Sequence, residues 1–168
     1  MALSIETPAP DFTLSSKSTE GLQRISLSQH RGHSNVLLLF VPLAFTEVCT
    51  KEFCDVTQSL TAYASLNAVV YGISGDSPFA QEAWAQKNGI SIPLLSDYDH
   101  AVARAYGVAY DNFLPEIGLG ISGVAKRSAF LIDRQGIIRY AESHNDPHQI
   151  PDFAKIQAQL SELEAAHK

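Results

Sequence analysis

The stretch Asn35-Val36-Leu37-Leu38-Leu39-Phe40-Val41-Pro42-Leu43-Ala44-Phe45-Thr46-Glu47-Val48-Cys49 decides how this chain folds. Within Asn35 to Val41, Val36 to Val41 is a continuous apolar run with valine at either end, the pattern of a strand buried on both faces. Pro42 has no amide proton and stops it. A helix begins after Thr46, because Phe53, Val56, Leu60 and Tyr63 recur at spacings of three and four. With Thr46 as N-cap, Cys49 falls in the first turn, at the third helical position. Backbone N–H groups there have no intrahelical partner and carry the positive end of the helix dipole. An anion is stabilised at such a point, and a thiolate is an anion. The Thr46 hydroxyl has both a donor and acceptors. It can cap the helix through its oxygen while turning its proton toward the sulfur or a bound substrate oxygen.

On either side of this segment, strands and helices alternate. Ala9 to Leu14 and Leu22 to Leu27 read as strands around the turn Ser18 to Gly21. Ala68 to Ser74 is a second buried strand. Ser77 and Pro78 start a helix that Gly89 ends. Pro93 to Ser96 is a short strand, and Asp99 caps a brief helix through Tyr106. Ser128 to Ile132 and Ile137 to Ala141 flank the turn Asp133-Arg134-Gln135-Gly136. Phe153, Ile156, Leu160 and Leu163 define an amphipathic C-terminal helix. The expected fold class is therefore α/β: a central mixed sheet flanked by helices, in a single domain over residues 1–168.

Composition narrows the function. Net charge is -6 over 168 residues, and no basic run exceeds the pair Lys126-Arg127, so no nucleic-acid partner is expected. The apolar run Val36 to Val41 is too short to span a bilayer, and Met1 to Pro10 lacks the features of a signal peptide. The expected location is cytoplasmic. The two cysteines are then reduced at rest and available for chemistry. Among the six histidines, His144 and His148 have a helical metal-pair spacing, but Pro147 intervenes and no cysteine is near; a solvated loop is expected, with no metal and no cofactor.

By position alone, a cysteine at a helix start is more often core than catalyst. Ionisation decides its worth. A thiol with a pKa near ~8.5 is about 3% thiolate at neutral pH, whereas one lowered to ~6 is about 90% ionised. Cys54 lies five residues on. In an intact helix the two Cα atoms are about 8.6 Å apart on nearly opposite sides, beyond the ~7 Å reach of a disulfide. Cys54 is thus either a small buried residue beside Phe53, or a thiol that meets Cys49 only when the helix unwinds.

Pro42, Thr46 and Cys49 form P-x-x-x-T-x-x-C, which resembles the active-site motif of the peroxiredoxins. Ala9-Pro10-Asp11-Phe12-Thr13-Leu14 is similar to the opening of that family. Pro93-Leu94-Leu95-Ser96-Asp97 and Val102-Ala103-Arg104-Ala105-Tyr106-Gly107-Val108 are similar to its middle, and Arg127-Ser128-Ala129-Phe130-Leu131-Ile132-Asp133 to the strand carrying its arginine. The resemblance implies a thioredoxin-like fold with an N-terminal β extension. It also implies roles. Cys49 attacks a hydroperoxide and becomes a sulfenic acid; Thr46 hydrogen-bonds the peroxide; Pro42 shields the sulfur; Arg127 stabilises thiolate and transition state; Glu52 either orients that arginine or is an exposed first-turn acid that favours the helix dipole.

Pro42 to Cys49 is similar to the AhpE-type branch, described as one-Cys. The C-x-x-x-x-C spacing instead resembles the PrxQ (bacterioferritin comigratory protein) branch, which implies Cys54 as the resolving cysteine and thioredoxin or a similar dithiol as reductant. That branch commonly has Pro-Gly before the nucleophile, where this chain has Glu47-Val48. No cysteine lies near the C-terminus for resolution between subunits, and Gly118-Leu119-Gly120 does not replace the GGLG motif of overoxidation-sensitive members. A monomer or homodimer is implied. The competing readings are a one-Cys enzyme with a structural Cys54, a non-turnover redox sensor or holdase, and a disulfide oxidoreductase. The last usually carries C-x-x-C, unlike this chain.

Overall fold

The computed structural model describes residues 1–167. Its strands are β1 (Thr13–Ser18), β2 (Gly21–Ser26), β3 (Asn35–Phe40), β4 (Ala68–Ser74), β5 (Leu94–Ser96), β6 (Arg127–Ile132) and β7 (Ile138–His144). Its helices are α1 (Glu47–Gln58), α2 (Leu60–Ser65), α3 (Pro78–Asn88), α4 (Ala101–Ala105) and α5 (Phe153–His167). The strands form one mixed sheet in the order β2-β1-β5-β4-β3-β6-β7. β3 runs parallel to β4 and antiparallel to β6, and all six of its residues are buried.

The alternation of a strand explains how one apolar run serves two cores. Leu37, Leu39 and Val41 pack with Phe53 and Val56 of α1, Trp84 of α3, and Ile156 and Leu160 of α5. Val36, Leu38 and Phe40 enter the opposite core with Tyr106, Val108, Phe130 and Ile138. The expected mixed sheet covered on both faces is thus present. α3 also begins and ends as its sequence dictates: Ser77 accepts the Ala80 N–H at 3.1 Å, and Gly89 takes the left-handed conformation at φ +67°.

Three elements differ from expectation. The first strand runs Thr13–Ser18 rather than Ala9–Leu14, since Pro8 and Pro10 cannot donate to a ladder. Ala9 and Phe12 instead plug the core, while Asp11 accepts the Ser28 N–H at 2.9 Å. The helix after Cys49 does not continue through Tyr63. At Ser59 (φ -101°, ψ 5°) the chain leaves helical geometry, and α2 starts afresh. α4 is entered from His100 rather than Asp99. Asp99 does accept the Ala101 N–H at 3.1 Å, as expected, but it shares the capping with the buried Asp97, which accepts the Val102 and Ala103 N–H groups at 3.0 and 2.8 Å.

Candidate active site

α1 starts at Glu47, so Cys49 is its third residue, as the N-cap assignment requires. The first i→i−4 bond runs from the Thr50 N–H to the Thr46 carbonyl at 3.0 Å, leaving the amides of residues 47–49 outside the ladder. The expected side-chain cap is absent. The Thr46 hydroxyl donates to the Leu43 carbonyl at 2.8 Å and accepts from no helix amide. The loop before the helix is fixed from elsewhere: the Ala44 N–H donates to Asp76 Oδ2 at 2.8 Å, and the Ser74 hydroxyl donates to the same oxygen at 2.7 Å. Phe45 sits at φ +67°, a left-handed conformation unfavourable for a bulky side chain. Pro42, at the start of this loop, is buried, and Cys49 is 1% exposed.

Register places the arginine. Phe40 pairs with Ser128, so Arg127 falls one step further, where β3 has just given way to the Pro42 loop. It shares parity with Ala129 and Leu131 and therefore points toward α1. Arg127 Nη2 donates to Cys49 Sγ at 3.2 Å. Its Nη1 donates to Glu52 Oε1 at 3.4 Å, and Nε and Nη2 both donate to the Pro147 carbonyl, at 3.1 and 2.9 Å. Arg127 is 1% exposed, and a buried cation of this kind persists only when its donors are matched.

Glu52 follows Cys49 by three residues, hence on the same helix face. It is also 1% exposed, and its Oε2 has no hydrogen-bond partner. Burial raises its carboxyl from 4.5 to about 7; Arg127 opposes that rise, and Glu142 adds to it. A single guanidinium therefore faces two groups able to carry negative charge, a sulfur and a carboxylate.

The structure brings together Cys49, Arg127 and Glu52, and leaves Cys54 apart. Cys54 is half-buried and its thiol donates to the Asn88 carbonyl of α3 at 3.4 Å. Both thiols are free. Trp84, read as a packing residue, is buried against Phe53 with ring centroids 5.4 Å apart; its indole N–H also reaches Thr50 Oγ1 at 2.9 Å, beside Cys49. His144 pairs with Glu142, and His148 with Asp146.

Sequence reasoning missed Asp76, Glu142 and the Pro147 carbonyl. Asp76 follows a buried parallel strand at its C-terminal end, a position that favours functional residues. A backbone carbonyl carries no sequence signal at all. A cleft of about 740 Å³ lies between the β1–β2 hairpin and α3 and does not reach Cys49. Buried charges rather than open volume mark the site.

A mixed sheet with a first-turn cysteine facing a buried arginine defines a thioredoxin-fold thiol protein. The match of residues 5–141 to the AhpC/TSA family shows that the chain belongs to it, as a peroxiredoxin of the AhpE-like branch. It is 36% identical over 152 residues to alkyl hydroperoxide reductase E of Mycobacterium tuberculosis, across 89% of this chain and 91% of that protein. The reduced 2-Cys peroxiredoxin of Plasmodium vivax superposes with a TM-score of 0.85 at 25% identity, covering 98% of this chain and 84% of that one. Peroxidoxin BcpB of Mycobacterium tuberculosis gives 0.79 at 29% identity, covering 96% and 98%. Family membership makes the chain a thiol-dependent peroxidase.

Proposed function

We propose that this chain acts as one domain that reduces hydrogen peroxide and organic hydroperoxides through the Cys49 thiolate. The 3.2 Å contact between Arg127 Nη2 and Cys49 Sγ carries the proposal. The thiolate attacks one peroxide oxygen, the O–O bond breaks, and the leaving oxygen takes a proton to depart as water or an alcohol. Sulfur is left as a sulfenic acid. Arg127 holds the thiolate and meets the charge that develops in the transition state. Thr46, whose proton is already given to the Leu43 carbonyl, offers its oxygen to the peroxide O–H. Pro42 keeps bulk water from the sulfur, and Glu52 orients the guanidinium.

The second step joins Cys54 to the oxidised sulfur, releasing water and forming an intrachain disulfide that thioredoxin or a similar dithiol reduces. It requires the start of α1 to unwind. The missing side-chain cap at Thr46 favours that opening. The engagement of Cys54 with the Asn88 carbonyl favours the alternative, in which Cys54 is structural and an external thiol resolves Cys49. A cytoplasmic monomer or homodimer fits either course.

Mass spectrometry after one equivalent of peroxide separates the two. A disulfide between residues 49 and 54, lost in Cys54→Ser, is expected; a lasting sulfenic acid in the wild type assigns Cys54 to structure. Peroxide turnover that survives Cys49→Ser would end the proposal.

A further inference from the structure

Glu142 and His144 lie on β7, outside the motifs that carry the family resemblance. The Glu142 carboxylate accepts the Tyr140 hydroxyl at 2.6 Å, the His144 Nε2–H, and the backbone N–H of Asp152 at 3.0 and 3.3 Å. Its side chain is 16% exposed and that of His144 17%. One carboxylate thus ties the start of the β7–α5 connection, at His144, to its end, at Asp152. Tyr110 adds a hydroxyl donated to the Asn145 carbonyl.

Between these ties lies Pro147, whose carbonyl receives two of the four hydrogen bonds made by the Arg127 side chain. Proline has no N–H with which to fix itself to the sheet; a local turn closes around it, with the Gln149 N–H on the Asp146 carbonyl at 3.2 Å and the His148 N–H on Asp146 Oδ1 at 2.9 Å, and where that turn sits over Arg127 depends on how the connection is held at its ends. That position matters because Arg127 has a competing arrangement. Glu52 Oε2 is buried and without a partner. A guanidinium freed from the carbonyl can turn both terminal nitrogens onto the two Glu52 oxygens, the geometry arginine and carboxylate prefer. Nη2 would then leave the sulfur.

We propose that Glu142, assisted by His144, is a positioning residue for the peroxide reaction. By closing the 145–152 connection it holds the Pro147 carbonyl that aims Arg127 at Cys49 Sγ. The inference rests on the reading of Cys49 as the peroxide-reducing thiol.

The test is a double-mutant cycle on the full chain, with the rate of Cys49 oxidation by hydrogen peroxide measured in stopped flow. Glu142→Ala is expected to slow oxidation by about 10- to 100-fold, the scale of a misplacement near 1 Å. Glu142→Gln keeps an oxygen for the Asp152 N–H and is expected to recover part of that loss. In an Arg127→Ala background, Glu142→Ala should cost nothing more. Equal slowing in both backgrounds overturns the inference, because it marks general damage to the fold. Wild-type speed in Glu142→Ala overturns it too. Should Glu142→Ala not fold, His144→Ala carries the same comparison with the carboxylate intact. A wild-type protein inert to peroxide overturns the Cys49 reading itself, whereas slowing by Arg127→Ala without slowing by Glu142→Ala removes only the clamp.

Discussion

Replacing Arg127 with alanine removes the only side-chain donor on Cys49 Sγ among the described residues, together with the partner of Glu52 Oε1. A hydrogen bond to a charged group contributes about 1.5–3 kcal/mol. At about 1.4 kcal/mol per decade, the oxidation rate at neutral pH is expected to fall roughly 10- to 100-fold. The variant should still fold. The Glu52 carboxyl already stands at about 7, and loss of the guanidinium pushes it higher, so it is buried as a neutral acid near neutral pH. Trp84 supplies the signal: it is the single tryptophan, bonded to Thr50 and packed on Phe53. The assay is stopped-flow fluorescence of the reduced protein against a series of peroxide concentrations, with the oxidised sulfur confirmed by mass. An Arg127→Ala protein that melts like the wild type and reacts within about twofold of its rate would refute the reasoning, since the contact would then contribute under about 0.5 kcal/mol.

Glu52 links stability to pH. A carboxyl raised from 4.5 to about 7 on folding binds its proton more tightly in the folded chain, so stability should fall as pH rises through that window. The loss is up to about 3 kcal/mol, and Glu52→Gln should flatten this slope in denaturant titrations repeated across the window. Thr46→Val should slow peroxide reduction about tenfold or more. Its denaturation midpoint should move by less than the usual cap loss of about 1 kcal/mol, because the hydroxyl caps no helix amide and gives up only an exposed bond to the Leu43 carbonyl. Gly72→Ala places a Cβ 2.5 Å from the Phe53 ring and 2.8 Å from Leu94, and should destabilise by about 1–3 kcal/mol in equilibrium unfolding. An unchanged midpoint would mean that α1 yields freely at Phe53.

The sequence by itself determined the strand Asn35 to Phe40, the proline that ends it and the helical turn presenting Cys49, because these depend on residues adjacent in the chain. Apolar run, proline and N-cap position are local signals, and so is the Ser77–Gly89 helix with its two caps. Tertiary structure decided which groups converge on the sulfur. Arg127 reaches Cys49 through an antiparallel register, Asp76 reaches Ala44 from the end of another strand, and Pro147 offers a carbonyl that any residue would have supplied. It also decided that the Thr46 hydroxyl turns back to Leu43 and that Glu52 is buried deeply enough to hold its proton near neutrality. Local conformation follows from neighbouring side chains, whereas burial and long-range pairing depend on the packing of all the elements together.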